Sequence, residues 1–403
     1  MDLTEIRKDF PILQPKDGAK PIVYLDTACQ SLRPLPVIEA VLEYYIDYPA
    51  CSGRSMHKLA ARVTEKCADA RSQLARFIGA NKPEEVIFTR NTTEGINLIA
   101  NSLDLKSGDA VLISGKEHNS NLIPWQMLVK NKGIQLKVLP PKEDGTFDLA
   151  RFESMLDASV KLVSFGYSSN LDGVTIPVEK IIKLAHKNGS LVLLDAAQAT
   201  PHRALNARAL DVDFMAFSGH KMLGPSGTGV LYGKKKLLEA LTPFMVGGET
   251  VARSTYETCE FLPVPERFEA GLQDYAGIIG LAEASKYLQR VGFDAIQKQE
   301  ALLTRTVQEG IQSIPGLRII GPADPGLRGG ITTFYIEGVD SHRIAIMLDQ
   351  MANVCVRSGQ HCVHSWFNAR GIAGSVRASV YFYNTLEEVS IFTENLQKIR
   401  KVL

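Results

Sequence analysis

Over the first two thirds of the chain, short continuous apolar runs alternate with longer stretches in which apolar residues recur at helical spacing. Residues 86–90, 110–114, 136–139, 162–165 and 191–194 read as buried strands, and 214–217 and 229–232 follow. Between the earlier runs, 93–103, 121–130 and 177–186 carry the helical period. Uninterrupted apolar strands joined by helices predict an α/β fold whose mostly parallel sheet is covered by helices. After Gly271 the pattern changes to two long helical segments, 276–289 and 295–314, then strand candidates near 317–320, 331–336, 354–357 and 376–382, and a closing helix over 386–402. A smaller α+β unit is the simplest account. The expected division is a large domain over 21–275 and a small one built from 1–20 and 276–403. No internal repeat, low-complexity tract or long linker interrupts it.

Composition narrows the setting. The 403 residues are 45% apolar and 22% charged, enough for two cores, and a formal charge of +1 provides no field for nucleic acid or an anionic membrane. Charged and apolar residues intermix from Met1 to Phe10, unlike a signal peptide, and no segment has the roughly 18 apolar residues of a membrane span. A cytoplasmic enzyme is expected. Cys29, Cys51, Cys67, Cys259, Cys355 and Cys362 lie far apart without a C-x-x-C pair, which suggests neither a zinc site nor a disulfide framework.

The polar clusters follow the carboxyl ends of the predicted strands, the edge at which open α/β sheets bind ligands. Ser218-Gly219-His220-Lys221 closes one run and Asp195 another. A primary amine is the covalent partner of an aldehyde cofactor, and a carboxylate is the partner of a protonated pyridine nitrogen, so the pair outlines a pyridoxal-phosphate site. Arg90-Asn91-Thr92-Thr93-Glu94-Gly95 joins a strand to a helix whose N-terminus can receive an anion, although a capping threonine is the plainer alternative. Glu117-His118-Asn119 and Asn170 follow two further strands and taken singly are as easily structural.

Together with Tyr24-Leu25-Asp26, Asp195-Ala196-Ala197-Gln198, Arg267-Phe268-Glu269-Ala270-Gly271 and Arg357-Ser358-Gly359-Gln360-His361-Cys362, these motifs carry a resemblance. The chain resembles the fold-type I pyridoxal-phosphate enzymes of aminotransferase class V, and within them the SufS-like, or type II, cysteine desulfurases. The resemblance implies a seven-stranded large domain, and a small domain carrying the catalytic cysteine. It implies that Lys221 holds the cofactor as a Schiff base and then moves protons. Asp195 would pair with the ring nitrogen, Gln198 with the ring oxygen, and His118 would stack on the ring and relay protons. Thr92, Thr93, Ser218 and His220 would hold the phosphate. Arg377, with Asn170 and Arg357, would receive the carboxylate of L-cysteine.

By the same resemblance Cys362 attacks the substrate sulfur, becomes a persulfide and leaves L-alanine, with His361, His364 and Arg357 raising its thiolate fraction. Free of that context, Cys362 reads as a buried thiol, and a metal site at His361-Cys362-Val363-His364 lacks a fourth ligand. Cys355 and Cys67 read as packed side chains; nothing gives Cys29 or Cys51 a task. The short stretch from Cys362 to Arg377 implies delivery to a docking acceptor, a SufE- or SufU-like carrier or an iron–sulfur scaffold. A homodimer is implied, with 247–265 as a hook reaching the partner subunit.

The chain departs from the family pattern twice. Gly53-Arg54-Ser55-Met56-His57 lacks the first histidine of His-Arg-Gly-x-His, and Leu272 stands where a threonine would reach the partner's phosphate, with Gln273 as a conceivable substitute. These departures leave selenocysteine lyase, a C–S lyase, or another class V reaction as alternatives. A catalytically silent sulfur-transfer scaffold is disfavoured by the presence of Lys221, Asp195 and His118.

Overall fold

The computed structural model describes residues 2–14 and 20–403; Met1 and 15–19, part of the segment assigned to the small domain, lie outside the described residues. Seven strands form one sheet in the spatial order Val86–Thr89, Gly229–Gly233, Phe214–Ser218, Leu191–Asp195, Val160–Gly166, Ala110–Ser114, Gln135–Leu139. Gly229–Gly233 is antiparallel to both neighbours, and the other pairings are parallel, as helical crossovers require.

Successive side chains of a strand point to opposite faces, so these apolar runs feed two cores at once. Leu112, Val163, Val192 and Met215 enter one core; Val111, Ile113, Leu162 and Phe214 enter the other. The helix Thr92–Ser102 adds Ile96 and Ile99 to the second core, and Val178–Lys187 adds Ile181 and Ile182 to the first. Gln135–Leu139 differs from the buried strand expected there. It lies at the sheet edge, with polar Gln135 and Lys137 among its residues, and only Leu139 is fully covered.

The helix Tyr275–Val291, expected to open the small unit, instead packs on Leu35–Asp47 and Lys58–Phe77. It is buried on most of its circumference, and Ile278, Leu281 and Leu288 join the first core. The change of core comes one helix later, in Phe293–Ile311, where Leu303, Val307 and Ile311 face a third cluster. There an antiparallel sheet, ordered Leu317–Ile320, Ile331–Ile336, Ser375–Ser379, Arg357–Gly359, packs Phe334 and Val376 against Ile344 and Leu348 of Ser341–Ala352 and Phe392 and Leu396 of Leu386–Val402. Val23 and Leu25, inside the span assigned to the large domain, also pack there.

Two strand expectations change. The run 354–357 divides between sheets: Val354–Cys355 pairs in parallel with Val23–Tyr24, and Arg357–Gly359 pairs with Ser375–Ser379. The run 376–382 stops at Ser379, because the Asn384 side chain accepts the Tyr381 N–H and turns the chain toward the closing helix, which starts on a Thr385/Glu388 capping box.

The loop after Val160–Gly166 meets the turn before Ile331–Ile336 at Gly173. Its φ is +73°, and a Cβ there would lie 1.6 Å from the Arg328 carbonyl oxygen. Gly173→Ala is therefore expected to cost about 2–3 kcal/mol and to lower the melting temperature by several degrees. Thermal unfolding followed by circular dichroism checks this, and an unshifted midpoint would contradict it.

Candidate active site

Five of the strands ending at the upper edge of the large sheet deliver polar groups to a cavity of about 240 Å³. Asp195 is the last residue of its strand, and Lys221 follows Phe214–Ser218 by one short turn. Thr92 and Thr93 open the helix after Val86–Thr89; His118 follows Ala110–Ser114; Asn170 follows Val160–Gly166. The antiparallel sheet closes the cavity from the other side with Arg357, Cys362 and Arg377. All twelve residues expected at the site line this one cavity, Gln198, Ser218 and His220 included.

Asp195 is buried and Lys221 is half-buried at the cavity wall. Burial pushes the Lys221 ammonium down and the Asp195 carboxyl up, each opposed by the charge of the other. Asp195 accepts the Ala197 N–H at 2.9 Å, which leaves its other oxygen available to a ligand. Gln198 donates to the Ala28 carbonyl at 2.7 Å, while its Oε1 is buried without a partner. Such an acceptor suits a ring hydroxyl.

His118 Nδ1 accepts the Ser120 N–H at 3.1 Å, which places the proton of the neutral ring on Nε2. Burial, with Lys221 and Arg377 adding to it, pushes the ring down to about 3. At the helix N-terminus, Thr93 Oγ1 lies 2.6 Å from Ser120 Oγ. Ser218, expected to face a phosphate directly, is turned to Thr92: its Oγ accepts the Thr92 N–H at 2.8 Å and lies 2.6 Å from Thr92 Oγ1. It thus holds the first turn of the helix in place.

Arg377 is fully buried, and burial pushes it down. Its Nη1 donates to the Asn170 carbonyl at 2.9 Å, and Nη2 lies 3.5 Å from Asp26 Oδ1, outside hydrogen-bonding geometry. Nε and Nη2 have no hydrogen-bond partner. A buried guanidinium with free donors is a receptor for a carboxylate, since unmade charged hydrogen bonds are costly. Asn170 does not offer its amide to that site: the amide donates to the His361 carbonyl at 2.7 Å.

His361 and Cys362 both have positive φ, +50° and +61°, a conformation rare for residues with a Cβ. Three contacts hold it: the Cys362 carbonyl accepts the Asn119 N–H at 2.8 Å, His361 Nε2 meets Ser375 Oγ at 2.8 Å, and Asn170 takes the His361 carbonyl. The cysteine is thereby tied to the segment that carries His118. The expectation that His361 supplies charge to the thiol fails, because burial with Arg377 and Arg357 drives its ring down to about 2 and leaves it neutral. His364 bonds Asn119 at 2.9 Å instead, and Arg357 is the cation at the sulfur, with Nη2 3.9 Å from Sγ.

The sequence assigns no role to Cys29, Glu117 and Ser120 of the cavity lining, nor to Asp26 beside Arg377. Asp26 and Glu117 stand within motifs that carried the resemblance, and Ser120 lies two residues past His118, so position could have drawn attention to each. Cys29 lies near a segment that borders the cofactor site in the family, but nothing in the sequence gives it a task. Of the two departures, Leu272 is exposed on the surface, and Gln273 donates its amide to the carbonyls of its own loop at Glu269, Ala270 and Gly271, which argues against the substitution suggested for it. His57 caps the helix Lys58–Phe77 by accepting the Ala60 N–H, and Arg54 pairs with Glu249. Cys67 is pushed up to about 12 by burial, as a packed thiol should be, and Cys355 is raised for the same reason.

The Aminotransferase class-V family signature matches residues 23–392, and the chain belongs to that family. It is 40% identical over 396 residues to a probable cysteine desulfurase of Synechocystis sp., covering 97% of this chain and 94% of that protein. It is 39% identical to a cysteine desulfurase of Dickeya dadantii, over 100% of this chain and 97% of that one. The apo structure of a cysteine desulfurase from Thermococcus onnurineus superposes with a TM-score of 0.94 at 36% identity, covering 99% of this chain and 98% of that one.

Glu117 yields a test of the electrostatics. Burial pushes its carboxyl up to about 7, against hydrogen bonds from Ser114, Asn121 and the Gly166 N–H. The folded carboxyl keeps its proton up to about pH 7, whereas the unfolded one loses it near 4.5, so its stabilising contribution is full below 4.5 and is lost as pH rises through 7. Between pH 5 and 8 the stability of Glu117→Gln relative to wild type should rise by on the order of 3 kcal/mol. Denaturant melts across that range measure it; parallel pH profiles would contradict it.

Proposed function

We propose that the chain is a pyridoxal 5'-phosphate-dependent cysteine desulfurase that moves sulfur from L-cysteine to Cys362 and releases L-alanine. The observation that carries this is one cavity joining a lysine and a buried aspartate, a buried arginine with unmatched donors, and a cysteine beside a guanidinium. When bound, the cofactor supplies an aldehyde and a ring that withdraws electrons from the substrate's Cα.

Lys221, Asp195, Gln198 and the Thr92–Thr93 helix terminus fit such a group: an amine, a partner for a ring N–H, an orphaned acceptor and an anion site. Burial favours the neutral amine of Lys221, which can then accept the proton of the substrate Cα. Asp195 would hold a proton on the ring nitrogen, and Thr93, Ser120 and His220 would be placed to hold the phosphate. His118, neutral and with its proton on Nε2, can pass that proton within the cavity. Arg377 takes the substrate carboxylate through Nε and Nη2 and so orients Cβ and the sulfur toward Cys362. The Cys362 thiolate, held by Arg357, attacks the substrate sulfur. An S–S bond forms as the C–S bond breaks, the electron pair stays with the substrate carbon, and protonation of Cβ completes alanine.

The finer reading is a SufS-like enzyme of the cytoplasm, a homodimer, with Cys362 on a small domain and an acceptor protein docking at the cavity. Among the described residues no helix is long and apolar enough to cross a membrane. The exposed antiparallel hairpin of Val251–Ser254 and Cys259–Phe261 supports a hook toward a partner subunit.

Incubation of the cofactor-loaded protein with L-cysteine tests the reading. Alanine is the expected product, and Cys362→Ala should reduce its formation about 100-fold or more. Pyruvate in place of alanine, or undiminished alanine from the variant, would overturn it. Arg377→Lys, which loses the two-pronged donor geometry, should raise KM for cysteine about 10- to 100-fold in steady-state kinetics.

A further inference from the structure

Arg357 reaches two thiols. Its Nη1 lies 2.7 Å from Cys29 Sγ and its Nη2 3.9 Å from Cys362 Sγ, and both cysteines line the same cavity. Cys29 differs from the packed cysteines in its surroundings. Cys67 lies against apolar side chains of the core. Cys29 instead touches a guanidinium and lines the cavity. A cavity thiol beside a cation is set up as a nucleophile, and the reaction at Cys362 makes no use of it.

We propose that Cys29 is a second sulfur carrier, which takes the terminal sulfur from the Cys362 persulfide. The inference rests on the desulfurase reading above. Cys29 gives its proton to solvent and, as a thiolate beside Arg357 Nη1, attacks the outer sulfur of Cys362–S–SH. A new S–S bond forms at Cys29, the old one breaks, and its electron pair returns to Cys362 Sγ as a thiolate beside Arg357 Nη2. The products are Cys29–S–SH and a regenerated Cys362; sulfur passes between thiols with no net oxidation.

The geometry gives the step a purpose. Cys362 is held by the Asn119 N–H, and the preceding residue by Asn170 and Ser375, so its sulfur has little freedom to travel. Cys29 is half-buried and precedes the exposed Gln30, at the end of the cavity wall formed by Ala28 and Cys29. Transfer to Cys29 empties Cys362 for a second turnover before any acceptor is present.

The test uses cofactor-loaded wild type, Cys29→Ser, Cys29→Ala and Cys362→Ala, mixed with L-cysteine without reductant, quenched in acid, alkylated, and mapped by mass spectrometry. Wild type is expected to release about two equivalents of alanine per subunit in the burst and both Cys29 variants about one, since each thiol stores one sulfur. Persulfide should appear on Cys29 and Cys362 in wild type, on Cys362 alone in the Cys29 variants, and on neither in Cys362→Ala. A burst of one equivalent with persulfide confined to Cys362 in wild type would overturn the relay and leave the desulfurase reading standing. Persulfide on Cys29 in Cys362→Ala, or a Cys29–Cys362 disulfide with no Cys29 persulfide, would also overturn it. Absence of alanine and of persulfide on every cysteine would remove both.

Discussion

Charge taken out of water must find a partner, and in this protein that requirement shapes the junction between the two sheets. Arg377 leaves the antiparallel sheet fully buried and meets the Asn170 carbonyl from the loop of the parallel one, with Asp26 nearby. Its remaining donors stay unmatched. A buried, partly satisfied cation weakens the fold by itself, so its presence is best understood through the anion it receives. Lys221 and Asp195 repeat the pattern on the large sheet. Burial biases each toward neutrality, and a ligand that bonds the amine and offers a charged ring nitrogen would relieve both. Binding and catalysis thus draw on the same instability.

The second consequence is placement. Cys362 belongs in sequence to the antiparallel sheet, yet its carbonyl is bonded by Asn119, beside His118 of the large sheet. Two consecutive left-handed residues are tolerated there because contacts from both sides determine them. Such a cysteine is precise in aim and restricted in reach. That restriction is what makes a neighbouring thiol useful, and Cys29 shares its guanidinium.

Much of this was legible in the sequence. Short continuous apolar runs and helical spacing identify every strand of the large sheet, since each run feeds a core on both faces, and the residues closing most of those runs are neighbours in space. Gln135–Leu139 was misjudged as buried because an edge strand and a central one can share a pattern of apolar residues. The strand near 354–357 was misjudged because one apolar run gives no sign that its halves pair with different sheets. His361 could not be read as neutral, since its state depends on burial and on Arg377 of a neighbouring strand as well as on Arg357 nearby in sequence. Cys29 was invisible for a similar reason: its interest lies in Arg357, more than three hundred residues away in sequence.

The account stands on where the substrate's sulfur goes first. The direct measurement is to mix cofactor-loaded protein with sulfur-labelled L-cysteine, stop the reaction in acid within one turnover, and map the label before any reductant is added. The account predicts label on the peptide containing Cys362, at about one sulfur per alanine released. Alanine accompanied only by labelled sulfide in solution, with the Cys362 peptide bare, would contradict it.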